Sequence, residues 1–394
     1  MGKMTFIGGH VNNVVRLSKM LAEKGHEIHI ITTPHRYNNG GNVIKWAKVH
    51  TLSIYDTYLS IQYILTYAVK APIKVNSLSK KEKFDVIHGH SGYLSPVLVT
   101  ALASKLSGIP AIHTLYCTVN ETRYNNIATS IITKLINKCF ISKLDRIIAA
   151  TNNVEYSLLK IGVNKDKLKV IHPLVDTHIF NSSIRGNDIK VLYGITNEII
   201  ISYVGNLSES KGLQILLKAI ELLKNNYKIK LFMVLNMPLE IYKRPIRIEK
   251  DMNIIYEIKS KIKELLLEDV IVPIGLTENM AKILAASDLF VMPFLDMVGI
   301  LDYPLSLLEA MAIGKPVIVT NIGGISEIIR HNVNGLFVNP GDHFELADAI
   351  RYIIEHKERA RVMGRKNSEK IMSDFKPSEI VCTLERIYEE VNIR

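Results

Sequence analysis

The run from Asp302 to Ile329 is the sequence feature that most narrows what this chain can fold into. Apolar residues recur at helical spacing after Pro304, so a buried helix is predicted to begin there and to end at Gly314. Residues 316–320 then match a short strand that is buried on both faces, and a Gly-Gly turn leads into another helix. This order of elements is typical of an α/β protein with a parallel sheet.

Glu309 is the unusual residue of this run, because it places a carboxylate among the apolar residues of the predicted helix. An isolated carboxylate is very costly to bury, so we expect Glu309 to face a cleft or to be paired. The alternative is that the run is simply a core helix and strand of some other α/β protein.

The run resembles the nucleotide-sugar-binding region of retaining glycosyltransferases of family 4, which have the GT-B fold. The family pattern is a glutamate, seven residues, a second glutamate, then Ala-Met-Ala-x-Gly-x-Pro-Val-Ile and a Gly-Gly turn. Residues 309–318 match it closely. The resemblance implies that Glu309 holds the ribose of a nucleotide diphosphate sugar. The first family glutamate is replaced by Leu301, and Asp302, one place later, is an open candidate for its role.

Predicted strands and helices alternate along the rest of the chain in two similar halves, which indicates two Rossmann-like domains. The resemblance covers nearly the whole chain and implies the GT-B arrangement, in which two parallel sheets face each other across a cleft. We predict an acceptor-binding domain over residues 1–183 and a nucleotide-sugar-binding domain over residues 188–374. The polar stretch 181–187 is the predicted linker, and a helix within 375–394 is expected to pack back on the first domain.

The second half opens with a predicted strand at 199–205, followed by a helix that begins near Lys211. Two phosphates favour cations and the N-terminus of a helix. In relatives, an arginine directly after the strand glycine and a lysine some residues later bind the donor diphosphate. Here Lys211 is present, but Asn206 occupies the arginine position. A Gly-x-Gly turn of relatives is also absent, since Asn-Met-Pro follows Leu235.

The first half carries the predicted acceptor side. Gly8 and Gly9 are expected to form a turn between a short strand and an amphipathic helix, where the lack of side chains lets a substrate approach the backbone. In the family this turn lies at the domain cleft. His10 follows it and is assigned to the acceptor.

Two further predicted strands of this half contain histidines, at residues 84–90 and 109–114. Histidine can change its charge near neutral pH and can donate a hydrogen bond to a sugar hydroxyl. The resemblance implies that His113 orients the donor sugar and that His90 contacts the acceptor, whereas His88 is expected to be structural. A lone histidine at a strand end is otherwise more often structural.

The formal net charge of +11 is distributed unevenly. Residues 1–185 hold 23 Lys and Arg against 10 Asp and Glu, and the remainder holds 26 against 28. The first half is therefore expected to face an anionic partner, such as a lipid surface or a phosphorylated acceptor. No nucleic-acid-binding motif is present.

The segment 126–146 is predicted to be a basic amphipathic helix. It either contacts an anionic membrane or is a surface helix with one solvated face, and the sequence leaves both hypotheses open. Codon bias is another open explanation for the many lysines.

Three scattered cysteines indicate a reducing compartment rather than a disulfide framework. No signal peptide is seen, and no apolar run approaches the roughly 20 residues that a membrane span needs. We therefore predict a cytoplasmic protein. Peripheral contact with the inner face of the membrane is a further hypothesis.

The resemblance implies a retaining hexosyltransferase that uses a nucleotide diphosphate sugar and a glycan or glycolipid acceptor in surface polysaccharide or glycoconjugate synthesis. Neither cofactor nor metal is expected, because lysine and helix dipoles neutralise the diphosphate, and no Asp-x-Asp sequence occurs. The predicted catalytic residues are His113, Lys211 and Glu309. The predicted donor-binding residues are Gly8, Gly9, Gly205, Asn206, Lys211, Asp302, Leu305, Ser306, Glu309, Gly323 and Gly324. The predicted acceptor-binding residues are His10 and His90.

The three departures from the family pattern leave a second hypothesis open, namely a catalytically weak or inactive member that binds nucleotide sugar and supports a partner enzyme. An epimerase or a phosphorylase on the same fold is a third hypothesis, which no motif indicates. A nicotinamide dehydrogenase is disfavoured, because no Gly-x-Gly-x-x-Gly follows a first strand.

Overall fold

A computed structural model describes residues 9–33, 44–54, 61–92, 95–119, 139–237, 239, 253–297 and 301–393. The chain divides into two compact units. Unit 1 comprises Met1–Leu174, Gly299–Asp302 and Pro377–Arg394, and unit 2 comprises Val175–Val298 and Tyr303–Lys376.

The boundary between the units lies before the predicted linker at 181–187, which is a correction. The polar composition of that stretch suggested a linker, but the stretch packs within unit 2. A Cβ added to Gly186 would lie 2.2 Å from the backbone nitrogen of Ala286. Such a close approach of two backbones shows that the stretch is part of the packed structure of unit 2.

The strands of unit 1 form two parallel sheets among the described residues. The first pairs β1 (His29–Thr32) with β2 (Lys48–Thr51), and the second has the order β3-β4-β5-β6, with β3 (Ile87–Ser91), β4 (Ala111–Leu115), β5 (Arg146–Ala149) and β6 (Leu168–Val170). The strands of unit 2 are β7 (Ile199–Gly205), β8 (Ile229–Leu235), β9 (Ile271–Ile274), β10 (Leu289–Met292), β11 (Val317–Thr320) and β12 (Leu336–Val338).

Thirteen α-helices are described in these parts of the chain, and they are numbered here in chain order. They are α1 (Gly9–Glu23), α2 (Ile61–Ser79), α3 (Ser95–Ser107), α4 (Asn152–Lys160), α5 (Asn187–Leu192), α6 (Leu213–Leu223), α7 (Asn253–Glu264), α8 (Met280–Ala286), α9 (Leu305–Ile313), α10 (Ile325–Ile328), α11 (His343–Glu355), α12 (Lys357–Asp374) and α13 (Pro377–Asn392). Short 3₁₀ turns occupy Lys165–Lys167 and Glu209–Lys211. No helix among the described residues is both long and apolar enough to cross a bilayer.

The four-stranded sheet of unit 1 is covered on both faces, because side chains alternate along each strand. On one face, Ile112 and Ile148 pack with Leu17 of α1 and with Leu384 of α13. On the other face, apolar residues of the same strands pack with residues from α3 and α4. The histidines of β3 and β4 therefore point to different faces according to their position in the alternation.

The sheet of unit 2 has the order β12-β11-β10-β7-β8-β9, and all its strands are parallel. The first strand of this sheet, β7, lies in its centre. Strands β8 and β9 follow on one side of β7, and β10 pairs with the other side of β7. In open sheets of this kind, ligands bind at the carboxyl ends of the strands where the order reverses. The topology therefore points to the carboxyl ends of β7 and β10.

The run that dominates the sequence folds as predicted. Helix α9 begins directly after Pro304, and Gly314 ends it in the left-handed conformation with φ of 85°. Every residue of β11 is buried, as expected for a parallel strand between layers. The residue pattern was sufficient here because helix, cap and strand signals all agreed.

The start of the chain differs from the prediction. Helix α1 begins at Gly9, so Gly9 is a helical residue rather than part of a turn. Gly8 and the predicted strand before it lie outside the described residues. The predicted basic helix at 126–146 also lies mostly outside them.

Candidate functional site

The carboxyl ends of β7 and β10 lie side by side, because the two strands pair directly, with Leu289 opposite Ile201. Gly205 ends β7, and Pro293 follows β10. Helix α6 starts soon after β7, and α9 starts between β10 and β11. Helix N-termini carry unpaired amides and a partial positive charge, so this edge favours an anionic ligand.

Gly212 fixes the loop that follows β7. Its φ is +62°, and an added Cβ would lie 1.8 Å from the carbonyl oxygen of Pro293. The amide of Leu295 also donates a hydrogen bond of 2.8 Å to the carbonyl of Ser210. Only glycine satisfies both the left-handed backbone and this close approach. The loop is thereby held against the end of β10.

Lys211 lies in this fixed loop, and its Nζ is 4.1 Å from the centre of the Phe294 ring. Phe294 is buried, and its carbonyl accepts a hydrogen bond of 2.7 Å from the hydroxyl of Thr320 at the end of β11. A cation over an aromatic face is attracted by the ring. The ammonium is therefore positioned at the shared edge of β7, β10 and β11. Sequence reasoning missed Phe294, although an aromatic residue directly after the strand-ending Pro293 could have signalled it.

Helix α9 contributes its first turn and one carboxylate. Leu305 and Ser306 are its first two residues, so their amides belong to the unpaired set at the helix start. Glu309 lies one turn further on and is 6% exposed. The remaining predicted glycines follow β11, with Gly323 at φ of 56° and Gly324 as the residue before α10. Eight of the predicted donor-site residues thus lie at the end of β7 or in the segments that follow β7, β10 and β11, namely Gly205, Asn206, Lys211, Leu305, Ser306, Glu309, Gly323 and Gly324.

Asn206 has a local structural role in this loop. Its side-chain oxygen accepts hydrogen bonds from the amide of Ser208 at 3.1 Å and from the Ser208 hydroxyl at 2.6 Å. This arrangement is an Asx turn, which shapes the chain after β7. The side chain supplies no charge where relatives carry the arginine cation.

Asp302 belongs to unit 1, and its assignment to the donor site stays a prediction. Its carboxylate accepts hydrogen bonds from the Thr151 hydroxyl at 2.5 Å and from the Asn153 amide at 3.0 Å. Its own amide donates to the carbonyl of Tyr116 at 3.0 Å. The carboxylate also lies over the start of α4, since Thr151 caps that helix. The geometry therefore supports a structural role for Asp302, and the neighbouring Leu301 is likewise buried.

His113 lies in the buried layer between the sheet of unit 1 and α3. Its Nε2 is 2.8 Å from the Ser91 hydroxyl, and its Nδ1 is 2.9 Å from the Thr100 hydroxyl. Gly89, its partner on β3, makes room for the ring, because a Cβ there would lie 2.3 Å from Nδ1. Both ring nitrogens are committed to protein hydroxyls, so this geometry favours a structural role over direct contact with a sugar.

Burial lowers the pKa of His113 to about 3, so the folded protein holds a neutral imidazole that is protonated more readily after unfolding. The unfolded state then binds more protons between pH 6.5 and 3, and stability falls as the pH falls through this window, by about 1.4 kcal/mol per pH unit. We expect His113→Gln to lower the free energy of unfolding at pH 7 and to flatten its decrease between pH 6 and 4. Urea titrations across this range measure both effects. His178→Gln, a change at an exposed position, is the control, and equal slopes in wild type and His113→Gln would contradict the assignment.

His90 lies on the opposite face of the sheet, in a small pocket of unit 1 that is lined by both polar and apolar side chains. A directed chain of hydrogen bonds leads to it. The Leu174 amide donates to Asn13 Oδ1 at 2.6 Å, Asn13 Nδ2 donates to the Tyr116 hydroxyl at 2.7 Å, and that hydroxyl lies 3.1 Å from His90 Nδ1. Burial raises the pKa of the Tyr116 phenol, which keeps its proton. The geometry fits donation from the phenol to Nδ1, with a proton of His90 on Nε2.

Two other histidines line the same pocket. His172 Nδ1 is 3.0 Å from the carbonyl of Ala150, so its proton lies on Nδ1. His88 is bonded to the Thr114 and Tyr388 hydroxyls at 2.7 and 2.8 Å. Burial, followed by the charge of neighbouring histidines, lowers the pKa of His88 well below its ordinary value. The pocket residues Asn13, Tyr116 and His172 were not found from the sequence. The side chain of His10 lies outside the described set.

Among the described residues, one group of side chains that could ligate a metal ion lies in unit 1. It consists of Glu27, His29 and Glu82, whose ligand atoms lie within 4.8 Å of one another. The Lys48 ammonium already lies 2.6 Å from Glu27 and 3.2 Å from Glu82. This lysine supplies the cation that the two carboxylates need, so the group is explained as an ion-pair cluster.

Comparison with known proteins agrees with this arrangement. The model of glycosyl transferases group 1 matches residues 187–370, and that of glycosyltransferase family 4 matches residues 7–179. The chain is 28% identical over 399 residues to N-acetyl-alpha-D-glucosaminyl L-malate synthase of Bacillus anthracis, covering 98% of this chain and 94% of that protein. It is 25% identical over 326 residues to UDP-Gal:alpha-D-GlcNAc-diphosphoundecaprenol alpha-1,3-galactosyltransferase of Escherichia coli, covering 81% and 79%.

Among solved structures, a glycosyltransferase from Rickettsia africae superposes with a TM-score of 0.76 at 22% identity, covering 98% of this chain and 95% of that one. This likeness establishes the fold, and the two family models account for nearly the whole length of the chain. The two Rossmann-like units and these matches lead to one conclusion: the chain belongs to the family 4 glycosyltransferases and has the GT-B fold.

Proposed function

We propose that this glycosyltransferase is a metal-independent, retaining enzyme that moves a hexosyl group from a nucleotide diphosphate sugar to a glycan or glycolipid acceptor. The observation that carries the proposal is the fixed Lys211 loop at the strand-order reversal of unit 2. Gly212 holds the loop against Pro293, and Phe294 positions the lysine ammonium. A preorganised cation at the N-terminal ends of helices suits a diphosphate.

In this proposal unit 2 binds the donor. Lys211 and the amides near Gly323 and Gly324 would neutralise the diphosphate, and the first-turn amides of α9 add to the positive field. The carboxylate of Glu309 would accept hydrogen bonds from the two ribose hydroxyls. Lys211 and the backbone amides would together supply the positive charge that a metal ion supplies in other transferases.

Unit 1 would bind the acceptor. His90 is the pocket residue proposed to contact the acceptor, because a histidine ring can donate a hydrogen bond to a sugar hydroxyl or accept one from it. The acceptor oxygen would form a bond to the anomeric carbon on the face from which the diphosphate leaves. The proton of the acceptor would pass to the leaving diphosphate oxygen, so no dedicated protein base is needed.

A role in surface polysaccharide or glycoconjugate synthesis is part of the proposal, and so is peripheral contact with an anionic membrane. The name of the Escherichia coli relative gives a lipid-linked diphosphate as its acceptor. The excess of basic residues in residues 1–185 suits an anionic acceptor or surface of this kind.

A weak or inactive donor-binding member is the second candidate function. Asn206 favours it, because its side chain completes a local turn and provides no second cation for the diphosphate. Such a protein would bind nucleotide sugar and support a partner enzyme without transferring the sugar itself.

The test is a transfer assay in which proton nuclear magnetic resonance identifies the product linkage. Purified protein is incubated with UDP-, GDP- and ADP-hexoses that carry an α-anomeric bond, together with L-malate or an N-acetylglucosaminyl diphosphate lipid. We expect one donor to be consumed and an α-linked product to accumulate. A β-linked product would contradict retention, and a donor that binds but is never consumed would favour the inactive member.

A further inference from the structure

An exposed apolar stripe runs along α2 of unit 1. Leu65, Val69 and Ile73 are 63%, 59% and 57% exposed. They recur every four residues, so they lie one above another on the same helix face. The opposite face, which includes Ala71 and Leu78, is buried. The helix therefore has a packed side and an apolar side that faces water.

This stripe differs from ordinary surface apolar residues. Single exposed apolar side chains are common and need no explanation. Here three of them share one face of a 19-residue helix that contains Lys70 and Lys74 but no acidic residue. An apolar face together with lysines, without acids, is the composition of helices that lie in a membrane interface.

The charges that follow the helix are also positive. Lys80, Lys81 and Lys83 come directly after α2 and are exposed. Glu82, the acidic residue among them, accepts a hydrogen bond of 3.2 Å from Lys48, which also pairs with Glu27, and residues 61–83 hold five lysines against this one carboxylate. The neighbourhood of the stripe thus combines apolar area with an unbalanced positive charge, which complements an anionic lipid surface.

We propose that α2 is the membrane-docking helix of this protein and that its stripe inserts into the headgroup region of an anionic bilayer. Leu65, Val69 and Ile73 would lie among the upper acyl chains, while Lys80 and Lys81 contact lipid phosphates. This deepens the proposed function, on which it rests for the presence of a lipid-linked acceptor. A second copy of the chain fits the stripe less well, because pairing two such helices would bring like charges together.

The test measures binding of the full chain to vesicles by flotation, with vesicles that contain phosphatidylglycerol and vesicles of phosphatidylcholine alone. We expect binding to the anionic vesicles that weakens as salt is raised. The affinity of the triple variant Leu65→Gln, Val69→Gln, Ile73→Gln for the anionic vesicles should be lower by about tenfold or more, because the apolar contact is lost. Glutamine is a good helix former at exposed positions, so α2 should remain folded. Lys80→Gln with Lys81→Gln should weaken binding at low salt by about tenfold.

The matched control is Val191→Gln with Leu192→Gln, which removes two apolar side chains that are 80% and 69% exposed in unit 2. It should bind vesicles like the wild type. The proposal is overturned if the wild type does not bind anionic vesicles at low salt, or if the triple variant binds equally well. It is also overturned if sedimentation shows a wild-type dimer that the triple variant abolishes. A donor-induced thermal shift, expected to be equal in wild type and triple variant, reports separately on the proposed function.

Discussion

Gly212→Ala is expected to lower the free energy of unfolding of unit 2 by about 2 to 5 kcal/mol. The left-handed backbone costs an L-residue about 1 to 2 kcal/mol, and the added methyl group would lie 1.8 Å from the Pro293 carbonyl oxygen, so the loop or β10 must move. Overpacking of this kind typically costs about 1 to 3 kcal/mol more. Urea denaturation followed by circular dichroism measures the change.

Gly194→Ala is the matched control for this substitution. Gly194 has a similar φ of +64°, but an added Cβ there would meet no atom within 4 Å. We expect it to cost only the backbone term, about 1 to 2 kcal/mol. Equal losses for the two variants would show that the close approach to Pro293 does not hold the loop, and the argument for a preorganised Lys211 would fail.

Lys211→Ala is expected to reduce kcat/KM for the nucleotide sugar about 100-fold, because a charge-assisted contact to the leaving diphosphate is lost. Lys211 is the cation that the structure positions beside Phe294, and Asn206 provides no second one in the same loop. The loss should therefore be larger than if an arginine remained to compensate. Initial rates of donor consumption at saturating acceptor measure the effect.

The control for Lys211→Ala is Lys228→Ala, which removes an exposed lysine of unit 2 outside the site edge. Its kcat/KM should match that of the wild type. A Lys211→Ala protein with normal stability and normal kcat/KM would show that the diphosphate is neutralised elsewhere. In that case the assignment of the site to the β7–β10 edge would need a different cation.

The central features of unit 2 could be predicted from residues alone. The apolar spacing after Pro304, the cap at Gly314 and the apolar run of β11 each indicate the same structure, so local signals and packing agree. The assignment of Lys211 and Glu309 to a donor site rests on a family motif and stays a prediction. The strand order, which identifies the shared edge, follows from long-range pairing that no local pattern encodes.

Unit 1 was harder to predict because its polar residues divide between two sheet faces. A one-residue step along a strand moves a side chain to the opposite face. His113 therefore lies in the layer next to α3, whereas His90 and Tyr116 line the pocket on the other face. Asn13 reaches Tyr116 from α1, a pairing of residues 103 positions apart that only the folded chain reveals.

The carboxyl edge of the unit 2 sheet is proposed to bind a nucleotide diphosphate sugar through Glu309 and Lys211. A thermal-shift panel with UDP-, GDP- and ADP-sugars tests it most directly, since a ligand that binds the folded state raises the melting temperature. We compare the wild type with Glu309→Gln, which keeps the side-chain shape, and with Glu358→Gln, an exposed control. We expect a shift with one nucleotide that is kept in Glu358→Gln and lost in Glu309→Gln. No shift with any donor, or an equal shift in Glu309→Gln, would contradict it.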